Sequence, residues 1–142
     1  MNRCEKIQQE SKRFQGSAEH ILLVDDESSI ISLSKQMLRR IGYHVTHYGS
    51  SLEALETFRK HPDKFDLVIT DLTMPDMTGD KLSVELIKTR PDIPIIIWTG
   101  GSEIFSEKKA LAIGIKAFFY KPIVMKDLSQ KIYQLLEENR GK

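Results

Sequence analysis

The chain has 142 residues, enough for one domain with a core that is stable unaided. Lys plus Arg number 21 against 20 Asp plus Glu, so a net charge near +1 supplies no global field toward nucleic acid or a membrane surface. Cys4 is the only cysteine, which excludes an intrachain disulfide and a thiolate metal cluster, and no apolar stretch nears the ~20 residues that span a bilayer.

Residues 1–18 mix charged and polar side chains and lack the apolar core of a signal peptide. They read as a tail or linker ahead of a domain over 19–142, in a soluble, cytoplasmic protein. The heptad-like spacing of Cys4, Ile7, Ser11 and Phe14 has too few apolar positions for a coiled coil. A first apolar run, Ile21-Leu22-Leu23-Val24, leads straight into Asp25-Asp26-Glu27. Ser28 or Ser29 is the expected cap of a helix in which Ile30, Leu33, Met37, Leu38 and Ile41 recur at helical steps, stopped by Gly42. Tyr43 to Tyr48 is a more polar strand and therefore a sheet edge. Ser50 or Ser51 caps a second helix carrying Leu52, Leu55 and Phe58, which ends before His61-Pro62.

The third strand spans Asp66 to Thr70 and delivers Asp71. Thr78 caps a third helix to about Thr89, with Leu82, Leu86 and Ile87 inward. Pro91 and Pro94 bracket the entry to strand four, Ile95 to Trp98, which runs into Thr99-Gly100-Gly101. A fourth helix from Ser102 to about Ile113 is ended by Gly114. Strand five, Lys116 to Tyr120, runs into Lys121-Pro122, and a last helix carries Leu128, Ile132 and Leu135. Strand and helix alternate five times, which implies an α/β fold with right-handed crossovers and helices on both faces of a doubly wound parallel sheet.

Such a sheet gathers its C-terminal strand ends at the crevice where these folds bind ligands. Asp25, Asp26, Asp71, Thr99 and Lys121 all stand at such ends. Clustered carboxylates raise one another's pKa unless a cation is present, and Mg²⁺ suits a site built from one or two carboxylates, waters and a phosphate oxygen. For Asp25-Asp26 alone, helix capping explains the residues as well. Asp71 resists that explanation, because the next helix has its own cap in Thr78. Lys121 can pair with Asp71 or with an incoming phosphoryl group, and Gly100 and Gly101 leave room and backbone N–H groups beside Thr99.

Val24-Asp25-Asp26-Glu27, Ile69-Thr70-Asp71-Leu72-Thr73-Met74-Pro75 with Gly79, Trp98-Thr99-Gly100 and Tyr120-Lys121-Pro122 together resemble the receiver domain of two-component response regulators. The resemblance covers about His20 to Glu138. It implies a flavodoxin-like five-stranded sheet of order 2-1-3-4-5 with five helices, and a signalling module with no independent turnover. It implies that Asp71 is the phosphoacceptor. Asp25, Asp26, Asp71 and the backbone carbonyl of Thr73 would hold Mg²⁺, Asp25 through a water. Thr99 and Lys121 would bind phosphoryl oxygens, Thr99 and Phe118 would act as the conformational switch, and Pro75, Gly79 and Pro122 would shape the loops, with Lys121–Pro122 cis.

The implied partner is a sensor histidine kinase or a histidine phosphotransfer protein, acting on a downstream protein target. Direct nucleic-acid binding and membrane insertion are not expected. Strand five lacks the acidic pair of receivers that dimerise through that face, which argues against such a dimer. Val124 stands where many receivers cap the last helix with a polar side chain. A stand-alone receiver and the C-terminal receiver of a hybrid histidine kinase both fit; the initial Met tilts the expectation to the former. A haloacid-dehalogenase-like hydrolase is disfavoured, because its Asp-x-Asp pattern is absent after the first strand. A receiver-like module that takes no phosphate usually lacks one of the acids or the lysine, and all are present here.

Overall fold

The computed structural model describes residues 16–100 and 107–140. Their elements in chain order are β1 (His20–Val24), α1 (Ser28–Arg40), β2 (His44–Tyr48), α2 (Ser51–Lys60), β3 (Leu67–Asp71), α3 (Gly79–Thr89), β4 (Ile95–Thr99), α4 (Glu107–Ile113), β5 (Ala117–Tyr120) and α5 (Met125–Arg140). The strands form one parallel sheet in the order β2-β1-β3-β4-β5. Ser102 as a helix start, Gly101, and the positions Cys4, Ile7, Ser11 and Phe14 lie outside the described residues.

The central strands are near-continuous apolar runs because helices cover both faces of the sheet. Alternate strand residues feed two cores. Leu22, Val24, Val68, Ile95 and Ile97 meet α2, α3 and α4 through Leu55, Phe58, Leu82, Leu86 and Ala110. Ile21, Leu23, Ile69, Ile96 and Trp98 meet α1 and α5 through Ile31, Leu38, Leu128 and Ile132. Phe58 and Phe65 are fully buried and stack with ring centroids 6.2 Å apart. Truncating either to alanine would cost about 3–5 kcal/mol through lost contact and the cavity left behind. β2 lies at the sheet edge with only Val45 of its five residues buried, in keeping with its polar sequence.

The helix ends and faces follow local chemistry, with four departures from expectation. α1 has Glu27, not Ser28 or Ser29, at its N-cap, and no side chain caps it. Instead the Glu27 N–H donates to Asp25 Oδ1 at 2.9 Å, so the preceding strand end organises the turn. The buried face of α1 is Ile31, Ser34 and Leu38, whereas Leu33 is 59% exposed. A serine on the inner stripe and a leucine on the outer one misdirect the apolar pattern. Leu52, likewise, is turned outward from α2, and Thr78 occupies the α3 N-cap without a side-chain bond.

At the other end of α1, Gly42 takes φ +104°, its N–H donates to Arg39 O, and the Tyr43 N–H donates to Leu38 O. Those two bonds form a Schellman closure, which needs a residue free to adopt the left-handed region. Gly16 and Ala18 donate backbone hydrogen bonds to Ile41 O and Gly42 O beside this turn.

Candidate functional site

β1 and β3 are paired with Val24 opposite Thr70, and β3 and β4 with Asp71 opposite Trp98. This register carries the end of each strand to one edge of the sheet. Asp25, Asp26 and Asp71 each place a carboxylate oxygen within 4.8 Å of the others. Asp25 and Asp71 are buried and Asp26 is exposed, so the cluster opens to solvent on one side. There it adjoins a groove of about 490 Å³ beside α1, lined by Asp25, Asp26, Ser28, Lys35 and His47 among others.

Lys121 enters from the end of β5. Its backbone N–H donates to Thr99 O at 2.8 Å, which ties the β4 and β5 tips together. Its Nζ donates to Asp25 Oδ2 at 2.9 Å and lies 3.3 Å from Glu27 Oε1 and 3.5 Å from Asp71 Oδ2. Burial works against the ammonium, but the bond and charge of Asp25, with Asp71 and Glu27, raise its pKa above the ordinary lysine value. Asp71 behaves oppositely: burial and the charge of Asp25 push its pKa up to about 6, against the pull of Lys121 and the Thr73 N–H. One ammonium does not offset three gathered carboxylates. A hard cation with oxygen ligands fits this donor set and would remove the repulsion.

The remaining residues singled out in the sequence lie around this cluster. The Thr73 N–H donates to Asp71 Oδ1 at 3.3 Å. Thr99 is buried at the tip of β4. Phe118 is partly buried against the core beneath α2, α3 and α4, and meets Tyr120 edge-on at 5.2 Å. The Lys121–Pro122 peptide bond is cis, and Pro75 lies exposed in the loop after β3.

Gly79 is needed for close approach. A Cβ there would sit 2.3 Å from the Asp71 carbonyl oxygen, while the Gly79 N–H donates to Leu72 O at 2.8 Å. The start of α3 therefore presses directly on the strand end that carries Asp71.

Two partners escaped the sequence reading. Glu27 adds a third carboxylate to the surroundings of Lys121. The Trp98 indole Nε1 donates to Asp25 Oδ2 at 2.8 Å, wholly buried. Strand alternation carried that signal: Ile21-x-Leu23-x-Asp25 and Ile96-x-Trp98 occupy the same face of the sheet, so Trp98 points with Asp25 and Thr99 does not.

Comparison with known proteins agrees with this geometry. Residues 21–133 match the family model of the response regulator receiver domain. The two-component response regulator ORR24 of Oryza sativa subsp. indica is 36% identical over 108 residues, covering 76% of this chain and 17% of that protein. ARR12 of Arabidopsis thaliana, also a two-component response regulator, is 35% identical over 126 residues, covering 85% of this chain and 21% of its own length. This chain thus spans about a fifth of those relatives. A crystal structure of a response regulator receiver domain protein from Clostridium thermocellum superposes with a TM-score of 0.81 at 32% identity, covering 86% of this chain and 97% of that one.

Proposed function

The chain belongs to the response regulator receiver family of two-component signalling, and from that premise we propose that Asp71 accepts a phosphoryl group from a phosphohistidine. The donor is a sensor histidine kinase or a histidine phosphotransfer protein. The observation that carries the reading is the placement of the Lys121 ammonium between Asp25 and Asp71, beside three carboxylate oxygens gathered within 4.8 Å. The family is a signalling module, and the proposed activity is confined to the chain's own phosphorylation and dephosphorylation.

In the proposed reaction an Asp71 oxygen attacks phosphorus, the P–N bond to the donor imidazole breaks, and the imidazole leaves with the electron pair. The exposed side of the cluster and the groove beside α1 admit the donor. Lys121, held as an ammonium, turns from Asp25 toward the transferred oxygens. Asp26, Asp71 and the Thr73 carbonyl, with Asp25 through a water, would hold Mg²⁺, whose charge would offset that of the acids and of the phosphoryl group. Thr99 offers its hydroxyl to a phosphoryl oxygen, and Phe118 moves into the space that Thr99 vacates. That motion would reshape the surface of α4, β5 and α5 for a downstream protein. Water attack on the acyl phosphate returns the resting state.

The proposed unit is 19–142, with 1–18 as tail or linker. Among the described residues no helix is long and apolar enough to cross a membrane, and the reading includes neither membrane insertion nor direct nucleic-acid contact. A cytoplasmic site of action follows from the proposed donor.

Incubation with a phosphorylated histidine donor tests the reading. We expect up to one hydroxylamine-labile phosphoryl group per chain, dependent on Mg²⁺ and abolished by EDTA. Continuous phosphate release from a small phosphomonoester, without stoichiometric labelling, would favour a hydrolase instead.

A further inference from the structure

We propose that Trp98 is a positioning residue for phosphoryl transfer: its indole N–H keeps the buried Asp25 carboxylate partnered while Lys121 leaves it for the group on Asp71. This rests on Asp71 being the phosphoacceptor. Asp25 is fully buried, and among the described residues its carboxylate oxygens have three donors: the Glu27 N–H on Oδ1, and the Lys121 ammonium and the Trp98 indole together on Oδ2. Lys121 Nζ stands nearer to Asp25 (2.9 Å) than to Asp71 (3.5 Å). Moving onto a phosphoryl group therefore draws it off Oδ2. A buried carboxylate oxygen stripped of its donor is costly, and the Trp98 N–H is the donor that stays on Oδ2 when the ammonium leaves.

Trp98 is suited to remain behind. It is fully buried in the core shared by α1 and α5, its indole is donor-only, and it carries no charge that could follow the lysine. Its ring lies 5.7 Å from Lys121 Nζ, within the range in which an aromatic face attracts an ammonium. The N–H thus stabilises the state with Lys121 displaced more than the resting state, in which Lys121 already satisfies Oδ2. A differential of that kind accelerates the step without changing ground-state binding to match.

The test replaces only the donor. Trp98 is exchanged for β-(3-benzothienyl)alanine, in which sulfur stands for the indole N–H at nearly the same volume, and Trp98→Phe is made as a second variant. Labelling by acetyl phosphate at saturating Mg²⁺ is compared with Mg²⁺ affinity measured by titration calorimetry. We expect the labelling rate to fall about tenfold or more, as for a lost hydrogen bond to a charged group, and Mg²⁺ affinity to fall by a smaller factor. The two variants should agree in this split, whatever their melting temperatures. An unchanged labelling rate, or losses of rate and Mg²⁺ affinity in equal proportion, would overturn the role given to Trp98 while leaving Asp71 in place. If the unsubstituted chain takes no label, the phosphoacceptor reading fails and this inference fails with it.

Discussion

Asp71 is held in a state that costs the fold. Its pKa is pushed up to about 6 by burial and by Asp25, so between about pH 4 and 6 the folded chain holds a proton that the unfolded chain has lost. Stability should therefore fall as pH rises from near 4, the unfolded value, through about 6, and stay lower above that. Asp71→Asn removes this dependence while leaving an acceptor for the Thr73 N–H. In metal-free buffer at pH 7.5 the variant should be more stable than the parent by on the order of 2 kcal/mol, with the gap closing below pH 4. Urea unfolding at both pH values measures it. A variant less stable than its parent at pH 7.5 would show that Asp71 is well paired and its burial compensated.

At the scale of elements, the loops after β3 do more than present Asp71. Asp76 reaches from that loop to the start of α2, accepting from Ser50 Oγ at 2.6 Å, Leu52 N at 3.0 Å and Ser51 N at 3.3 Å. Burial opposes its charge, but these donors hold its pKa down to about 2. Its stabilisation is present above pH 4 and fades as pH falls toward 2. Asp76→Ala should cost about 1 kcal/mol at neutral pH, the usual worth of a helix cap, and little at pH 2. Denaturant midpoints at the two pH values give the comparison. Gly79→Ala is a steric test at the other end of the same loop, since its Cβ would collide with the Asp71 carbonyl. A loss of about 1–3 kcal/mol is expected, together with slower labelling as the Asp71 backbone is displaced. Neither contact was open to sequence reasoning. Asp76 lies 26 residues from Ser50 in the chain, and the closeness of Gly79 to β3 exists only once α3 has packed.

For the whole molecule, the order of strands and helices was readable because each central strand is apolar on both faces and each crossover carries one amphipathic helix. The cluster of Asp25, Asp26, Asp71 and Lys121 was readable for the same reason: once the strands are parallel, the residues just beyond their ends share an edge. What failed was rotation about a helix axis. Leu33 and Leu52 looked inward by type and turned outward, while Ser34 and Ser51 are buried in their place, Ser51 donating to Met77 O at 2.8 Å. Trp98 was visible as a strand residue, yet its bond to Asp25 depends on an indole long enough to reach past β3. The central claim is that these strand ends form one phosphoryl-accepting site. Its most direct test is mapping the phosphoryl group by mass spectrometry after phosphotransfer with Mg²⁺. A single modified residue, Asp71, is expected, with no modification in Asp71→Asn; full labelling of that variant, or label at any other side chain, is incompatible with such a site.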